Sequence, residues 1–269
     1  MSFRLSDEQL RQYEADGFVI VPNLLDGEEV ELLRKIARGD HELAQSAYGR
    51  EDAKGTAVKL SMHNDVPDDI YGAVVRAHRV VDNMEKLLGG EVYHYHHKMI
   101  LKEPFVGGAW EWHQDYGYWY NNGCLFPLMA SCMIALDRAT KANGCLQVIK
   151  GTHLLGRIDH GKVGDQTGAD PERIAAILER MPLVHCELEA GSAIFFHSNL
   201  LHRSDQNTSP DPRWALICCY NAARNDPYKD SRHPRYSKLE KWPDEKIKEV
   251  GKQQWQEMQR RLEQAGATV

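Results

Sequence analysis

A histidine and an aspartate two residues apart, His113 and Asp115, could together bind a metal ion. They lie in the aromatic segment WHQDYGYWYNNG, where the alternation of a strand would place both side chains on one face. A chain with 13 histidines and 19 aspartates contains about one such triplet by chance. A second triplet, from His63 to Asp65, lies in the polar segment SMHNDVPDD and is typical of a turn. The first triplet is therefore the better candidate for a metal site.

A catalytic metal site rarely has only two protein ligands, so a third must come from elsewhere in the chain. The segment GSAIFFHSNLLHRS offers His197 and His202, and we favour His202 because Ser204 and Arg213 follow it. An arginine entering an apolar strand is costly unless it meets an anion, and its guanidinium can hold a carboxylate through two parallel hydrogen bonds. These residues predict a divalent metal beside a pocket for a dicarboxylate. Pairing of Arg213 with an internal acid is the alternative.

The composition favours a globular protein whose partner is a small molecule. The formal net charge is -6 and no stretch gathers Lys and Arg, which argues against nucleic-acid binding. No apolar run approaches the roughly 20 residues of a membrane helix, and we expect no secretion signal at the acidic N-terminus. The six cysteines form no CxxC pair, and we expect buried thiols in a reducing cytoplasm.

The first part of the chain, residues 1–90, is predicted to be a helical support. Ser6 begins a segment that fits a capping box, Gly17 stands where that helix would end, and Asp26 begins a second helix. Between these helices, FVIVPNLL favours a short strand. Apolar residues at helical spacing predict one helix over 70–88, which a Gly-Gly pair would end.

Residues 91–225 are predicted to form a β-rich core. Its strands are EVYHYHHKMILK, ASCMIALD, GCLQVIKG, GSAIFFHS and RWALICCYNA, and Asn143-Gly144 favours a tight hairpin. An insertion over 153–182 interrupts the core, either as a lid for the site or as a solvated loop. The charged tail, about 236–269, is predicted to be a helix. We find no linker and expect a single domain over residues 1–269.

The order of these motifs resembles the phytanoyl-CoA dioxygenase family of Fe(II)- and 2-oxoglutarate-dependent oxygenases. The resemblance covers HQD, NGCLQVIKGTH, AGSAIFFHSNLLHRS and the arginine eleven residues after the distal histidine. It implies an α+β fold with a double-stranded β-helix core, a cupin-like jelly roll, flanked by N-terminal and C-terminal helices. It also implies that His113, Asp115 and His202 bind iron, while Arg213 and Ser204 hold 2-oxoglutarate.

The resemblance implies further contacts to 2-oxoglutarate. The family often places one on the strand 13 to 15 positions before the HxD motif, which is Lys98 or Ile100 here. Met133 occupies a place where many members have tryptophan, and Lys59 falls near the spacing of a lysine that some members use. O2 would be the last reactant. No side chain other than the metal ligands is expected to take part in the chemistry.

The aromatic residues around the HxD motif are candidates for contacts with the substrate. Tyr116, Tyr118 and Trp119 follow the strand and are expected in the substrate pocket, whereas alternation should turn Trp110 and Trp112 away from the metal. Acyl-CoA is the founding substrate of the family, but few basic residues are available near the entrance to meet its phosphates. We therefore expect hydroxylation of an unactivated C–H bond in a small or medium metabolite, with succinate and CO2 as coproducts.

Other functions remain open at this level. An acyl-CoA 2-hydroxylase like the founding member is the first alternative. A non-catalytic cupin-like protein that binds a metal or ligand is the second, and Arg213 with Ser204 counts against it. A zinc hydrolase is the third, for which Glu111 is the only adjacent acid or base. The family's halogenases lack the metal-binding carboxylate, so Asp115 favours hydroxylation.

Overall fold

The protein combines helices with antiparallel sheets, as described by a computed structural model for residues 2–264. Its described helices are α1 (Asp7–Asp16), α2 (Gly27–Gly39), α3 (His41–Ser46), α4 (Ile70–Arg76), α5 (His78–Leu88), α6 (Asp115–Trp119), α7 (Pro171–Leu178) and α8 (Lys246–Gln264). Its first described strands are β1 (Phe18–Val21), β2 (Tyr48–Glu51), β3 (Ala57–His63), β4 (Val92–Lys102), β5 (Trp110–His113), β6 (Met129–Ala135) and β7 (Leu146–Ile149). The remaining ones are β8 (His160–Val163), β9 (Gln166–Ala169), β10 (Leu183–Cys186), β11 (Ala193–His197), β12 (His202–Ser204) and β13 (Arg213–Ala222).

Two antiparallel sheets form the core. The large sheet has the order β1-β11-β6-β13-β4-β3-β2, and the small sheet has the order β10-β7-β12-β5. Apolar side chains from both sheets share one buried cluster, which includes Ile194, Phe196 and Ile217 of the large sheet and Leu146 and Val148 of the small one. Because this shared cluster lies between the sheets, it supports the side chains that enter the cavity there.

The helix ends follow the sequence signals. Ser6 accepts a hydrogen bond from the Gln9 amide and Gly17 ends α1 with a φ of 84°, so both signals are confirmed. Asp26 caps α2 by accepting from two backbone amides of the first turn. The single helix predicted over 70–88 is divided in two at Ala77, whose ψ of 134° is not helical. These helices bury their apolar faces against the large sheet.

Two predictions about the strands are corrected. The first 90 residues supply three strands of the large sheet as well as helices, because β1 pairs with β11 and β3 extends the sheet beyond β4. Asn143 and Gly144 do not form a hairpin between paired strands, because the flanking β6 and β7 belong to different sheets. Gly144 instead has a φ of 77°, and it turns the chain from the large sheet into the small one.

The predicted insertion has regular structure, whereas the tail that was predicted as a helix from about 236 becomes helical only at Lys246. Within 153–182, β8 and β9 form a separate hairpin, and α7 begins at Pro171 with Asp170 as its cap. Near the end of the chain, α8 packs against α2 and α4, and the last five residues of the predicted tail lie outside the described residues. No helix in the described part of the chain is long and apolar enough to cross a membrane. All six cysteines are buried free thiols, as expected.

Candidate metal centre and adjoining pockets

The structure brings His113, Asp115 and His202 together between the two sheets. His113 ends β5 and faces His202, the first residue of β12, across the small sheet. The Asp115 Oδ1 atom lies 3.6 Å from His113 Nε2 and 3.9 Å from His202 Nε2, and all three side chains are buried. Asp115 is not on the strand with His113 as alternation predicted, because β5 ends there and Asp115 begins α6. The turn still directs both side chains to one point.

Hydrogen bonds set the two imidazoles for metal binding. His113 Nδ1 donates to the Glu111 carbonyl over 2.8 Å, and His202 Nδ1 donates to the Leu200 carbonyl over 2.9 Å. With Nδ1 protonated, the neutral ring has its lone pair on Nε2, which is the atom nearest Asp115. Burial lowers the pKa of His202 to about 3, so this ring is neutral at physiological pH. Two imidazoles and one carboxylate form the donor set of a non-haem Fe(II) site.

The Asp115 carboxylate is oriented by two hydroxyl groups. Tyr118 donates to Oδ1 over 2.8 Å, and Ser131 donates to Oδ2 over 3.3 Å. Burial alone would raise the pKa of Asp115, but the positive charge of Lys98 more than offsets it and holds the pKa well below its usual range. The group is therefore an ionised carboxylate. Among the residues that the structure describes, this trio is the one cluster of three side chains suited to a metal ion.

A small cavity, which we call the inner compartment, adjoins the trio and has a volume of about 40 Å³. Its lining includes both histidines of the trio together with Lys98, Met133, Ser204 and Arg213. Arg213 is 3% exposed and donates from one terminal nitrogen to the Gly144 carbonyl, while its Nε has no partner among the described residues. Burial lowers its pKa to about 10, so the guanidinium stays charged at neutral pH. An anion in this compartment would complete its hydrogen bonds.

A second buried basic residue, Lys102, lies beside Arg213, and its position near the site was not predicted from the sequence. The two residues are opposite each other in β4 and β13, and Lys102 is completely buried. Its ammonium donates to the Asp205 carbonyl, and burial together with the charge of Arg213 lowers its pKa well below the usual value. A side chain at Gly144 would collide with the Asp205 carbonyl. The reasoning applied to Arg213, a cation in an apolar strand, could have identified Lys102 as well.

A larger cavity, the outer compartment, opens on the other side of Lys98 and has a volume of about 170 Å³. It is lined by Tyr48, Arg50, Leu60, Met62, His96, Lys98, Trp110, Tyr118, Trp119, Asp165, Gln166, Thr167, Arg232 and His233. Lys98 and Trp110 line both compartments, so they separate the two cavities. The expected substrate-pocket residues Tyr118 and Trp119 do lie in this wall.

The two tryptophans of β5 differ in direction. Trp110 lines both compartments, which corrects the expectation that it faces away from the metal. Its direction follows from an irregular register: His202 lies opposite His113, but Ser204 lies opposite Trp110. Three residues of β12 thus pair with four residues of β5, and the extra residue in β5 turns Trp110 towards the cavities. Trp112 does face away from the trio and packs in a separate apolar cluster.

Three other expected positions are also settled by the fold. Lys59 is exposed and lines neither cavity, whereas its neighbours Val58 and Leu60 do line them. The expected contact of Lys59 with 2-oxoglutarate is therefore corrected. Tyr116 lines neither cavity, because its ring is buried in the core and its hydroxyl donates to the Cys124 carbonyl. His197 is away from the trio and packs beside Tyr13.

The insertion is tied to the centre through the middle residue of the HxD motif. The Gln114 amide nitrogen donates to the Gly156 and Asn199 carbonyls, and its oxygen accepts from the Ile158 amide. His160 accepts a hydrogen bond from the Gln114 backbone amide over 2.9 Å. The start of the insertion is therefore held against the turn that connects the first two metal-site residues.

Comparisons with known proteins give a consistent result. A family model described as phytanoyl-CoA dioxygenase (PhyH) matches residues 13–215. The chain is 30% identical to an L-proline trans-4-hydroxylase of Streptomyces griseoviridis over 87% of this chain and 92% of that protein. It is also 30% identical to an ectoine dioxygenase of Bordetella parapertussis, over 86% of this chain and 80% of that protein. The fold is similar to the crystal structure of EctD from S. alaskensis with 2-oxoglutarate and 5-hydroxyectoine, with a TM-score of 0.75, 23% identity and coverage of 89% and 88%.

Proposed function

The chain belongs to the phytanoyl-CoA dioxygenase family, and we propose that its His-Asp-His trio and inner compartment hold the iron and the 2-oxoglutarate of the reaction. It is an Fe(II)- and 2-oxoglutarate-dependent hydroxylase that uses O2, as are its curated relatives. The single observation that carries the assignment of the site is the unpartnered Nε of Arg213 in the cavity beside the trio. A buried guanidinium in that position fits the distal carboxylate of 2-oxoglutarate.

We propose that the core is a double-stranded β-helix. Eight strands, β4–β7 and β10–β13, pass repeatedly between the two sheets, and in each sheet four of them are neighbours. This arrangement is typical of a jelly roll. The likeness to the EctD fold supports it, and the site lies between the two sheets. The helices α1, α2, α4, α5 and α8 would then flank this core, as the sequence predicted.

In the proposed centre, His113, Asp115 and His202 are the three protein ligands. Both histidines have a free Nε2 lone pair because their Nδ1 protons are donated to backbone carbonyls. Three neighbouring ligands on one face leave the remaining positions for the cosubstrate and O2. When bound, iron, 2-oxoglutarate and O2 together supply the oxidising power for a substrate C–H bond, with succinate and CO2 as coproducts.

Four side chains are proposed to position 2-oxoglutarate. Arg213 would pair with its distal carboxylate, with the Ser204 hydroxyl as a further donor. Lys98, at the boundary of the compartments, would face the end of the molecule nearer the trio. Met133, at the position where many family members have tryptophan, would contribute an apolar wall. Together these residues orient the cosubstrate and exclude water from it.

The chain contributes to the reaction by positioning its components. Tyr118 and Ser131 hold the Asp115 carboxylate, so that its acceptor atoms keep a fixed direction. The aromatic rings of Trp110 and Trp119 close the sides of the outer compartment, which is where the substrate would lie. No proton transfer by a side chain is required in this scheme, because the bound groups carry the chemistry.

The substrate is a small molecule, and we propose that it is not linked to CoA. L-proline and ectoine, the substrates for which the relatives are named, are both small. The outer compartment has only Arg50 and Arg232 as exposed or half-exposed arginines in its lining, which is little positive charge for the phosphates of CoA. An acyl-CoA 2-hydroxylase remains the alternative. It predicts succinate release stimulated by an acyl-CoA and not by small metabolites.

The cosubstrate site is tested by anaerobic titration of the Fe(II) protein with 2-oxoglutarate. We expect a weak visible charge-transfer band, and Arg213→Ala should raise the cosubstrate concentration needed for it by about 30-fold or more, since loss of a buried charge pair costs about 2–5 kcal/mol. Fe(II) binding should be unchanged, because Arg213 is not one of the proposed ligands.

Arg138→Ala is the matched control, since this arginine is exposed and pairs with Glu189. The control should titrate like the wild type. Absence of the band in the wild-type protein would contradict the cosubstrate site. An unchanged titration of the Arg213→Ala protein would assign the binding of 2-oxoglutarate to other residues.

A further inference from the structure

The outer compartment contains two buried histidines whose Nδ1 atoms have no hydrogen-bond partner among the described residues. His96 is 2% exposed and His233 is 5% exposed, and both line the cavity with ring centroids 5.1 Å apart. In neither ring does Nδ1 have a partner among the described residues. A buried polar group that stays unpaired costs about 1–3 kcal/mol. A bound molecule with a hydrogen-bonding group at this position would remove that cost.

His96 faces the cavities by the regular alternation of β4, as Lys98 and Ile100 do, and a bulge follows it towards the start of the strand. In the pairing of β4 with β13, Cys219 lies opposite His96 and Tyr220 lies opposite His94, so Tyr95 is an extra residue on the β4 side. The bulge takes His94 out of this alternation, so His94 contacts His97 on the other face of the sheet and His96 is the last histidine of β4 that lines the cavities.

Positive charge surrounds the two histidines. Arg232 precedes His233 in the chain, and Arg50 lies on β2 in the same lining. Neither guanidinium forms an ion pair with any described residue, and Arg50 lies over the ring of Tyr48 instead. Asp165 is the only acid in the described lining, and it is exposed. The lining therefore offers hydrogen-bond donors and unpaired positive charge to an anion.

We propose that the hydroxylated substrate is a small carboxylic acid whose carboxylate binds to Arg232, His96 and His233. The guanidinium can donate two parallel hydrogen bonds, and each neutral imidazole can donate one more. The apolar part of the molecule would lie against Trp110 and Trp119, and so extend towards the metal trio. This inference rests on the proposed function, because it requires iron and 2-oxoglutarate to occupy the inner compartment.

The test measures binding without turnover. The inner compartment is first saturated with Zn(II), which has no redox chemistry, and with 2-oxoglutarate, whose binding is followed by calorimetry. L-proline, L-pipecolate and benzoate are then titrated, each against its primary amide, with the fluorescence of the lining tryptophans as the signal. We expect at least one acid to bind about tenfold or more tightly than its amide, since a charge-assisted hydrogen bond contributes about 1.5–3 kcal/mol.

Variants then assign the preference to these residues. Arg232→Ala and His96→Phe should each remove most of the preference for the acid while 2-oxoglutarate still binds. Arg180→Ala, which changes an exposed arginine paired with Glu179, should have no effect. Equal binding of acids and amides, no binding of any acid at millimolar concentration, or an unchanged preference in both variants overturns the proposal. Failure of 2-oxoglutarate to bind contradicts the proposed function instead, which separates the two results.

Discussion

Tyr118 contacts the metal centre as well as lining the outer compartment. Its hydroxyl donates to the Asp115 carboxylate over 2.8 Å, and its ring is stacked on His113 with the ring centroids 6.0 Å apart. The same side chain lines the outer compartment. Tyr118 thus contacts two of the proposed ligands and the proposed substrate space. We infer that it positions the carboxylate and does not itself react.

Replacement of Tyr118 by phenylalanine tests this role. The change removes the donor to Asp115 but keeps the ring, so we expect the Fe(II) dissociation constant to rise about 10-fold to 100-fold, as is usual for residues that orient metal ligands. Anaerobic Fe(II) titration measures it. The matched control is Tyr120→Phe, because Tyr120 is 48% exposed and lies outside both cavity linings. Equal Fe(II) affinity of the Tyr118→Phe protein and the control would show that the hydroxyl does not orient the carboxylate.

The insertion is the element that connects the site to the surface. Its beginning is held by Gln114, and a side chain at Gly117 in α6 would collide with the ring of His160. Farther along, Ile158, Ala169 and Ile174 pack with Trp112 in a small apolar cluster of their own. The insertion is therefore packed against the metal centre, and its predicted action as a lid would require these contacts to open and close.

Gln114→Ala should loosen the insertion. The substitution removes three hydrogen bonds of a fully buried side chain, each contributing about 1 kcal/mol, so the segment should open more often. We expect trypsin to cleave after Arg157 or Lys162 about tenfold or more faster than in the wild type. Gln253→Ala, on the exposed face of α8, is the control.

Bound ligands should slow the cleavage of the same segment by trypsin. If the insertion closes over the site, iron, 2-oxoglutarate and substrate together should protect the wild-type segment from trypsin. Cleavage of Gln114→Ala at the wild-type rate would mean that these hydrogen bonds do not hold the segment. Unchanged cleavage of the loaded wild-type protein would leave the insertion as a structural element and not a lid.

For the whole molecule, buried histidines link stability to pH. His94 and His97 lie beneath the helices beside the large sheet, where His94 Nε2 is 3.1 Å from His97 Nδ1, and His197 is half-buried at the end of β11. Burial lowers the pKa of His94 to about 3 and that of His197 to about 4, and it lowers the pKa of His97 well below the usual value. All three rings are therefore neutral in the folded protein at neutral pH.

The free energy of unfolding should fall as the pH falls below about 6.5. In that range the unfolded chain binds protons that the folded protein does not, so acid favours unfolding. Above about pH 6.5 both states carry neutral histidines, and this contribution to the pH dependence vanishes. Each histidine adds a slope of about 1.4 kcal/mol per pH unit until the pH reaches its folded pKa. Urea unfolding between about pH 7 and pH 5 measures the slope, and a constant free energy over that range would contradict the prediction.

Much of the site could be predicted from the sequence because its signals are local or depend on fixed spacing. The order of His113, Asp115, His202 and Arg213 indicated a metal trio beside a buried cation. The structure brings the trio together, and both histidines and Arg213 line one cavity. Helix caps such as Ser6 could also be predicted from the sequence, because the capping side chain and the amide that it binds are three residues apart. Charge and composition also pointed to a small-molecule substrate, which is the kind for which the curated relatives are named.

Only the tertiary structure decided which side chains face the cavities. Alternation along a strand assumes a regular register, but a bulge directs Trp110 inward, and such bulges arise from pairing with distant strands. The same register turns Lys59 to the surface, and core packing takes Tyr116 out of the pocket. The residues that bind the metal could thus be identified from their types and spacing. The full lining of the two cavities could not, because the direction of residues such as Trp110 depends on strand pairing across the whole fold.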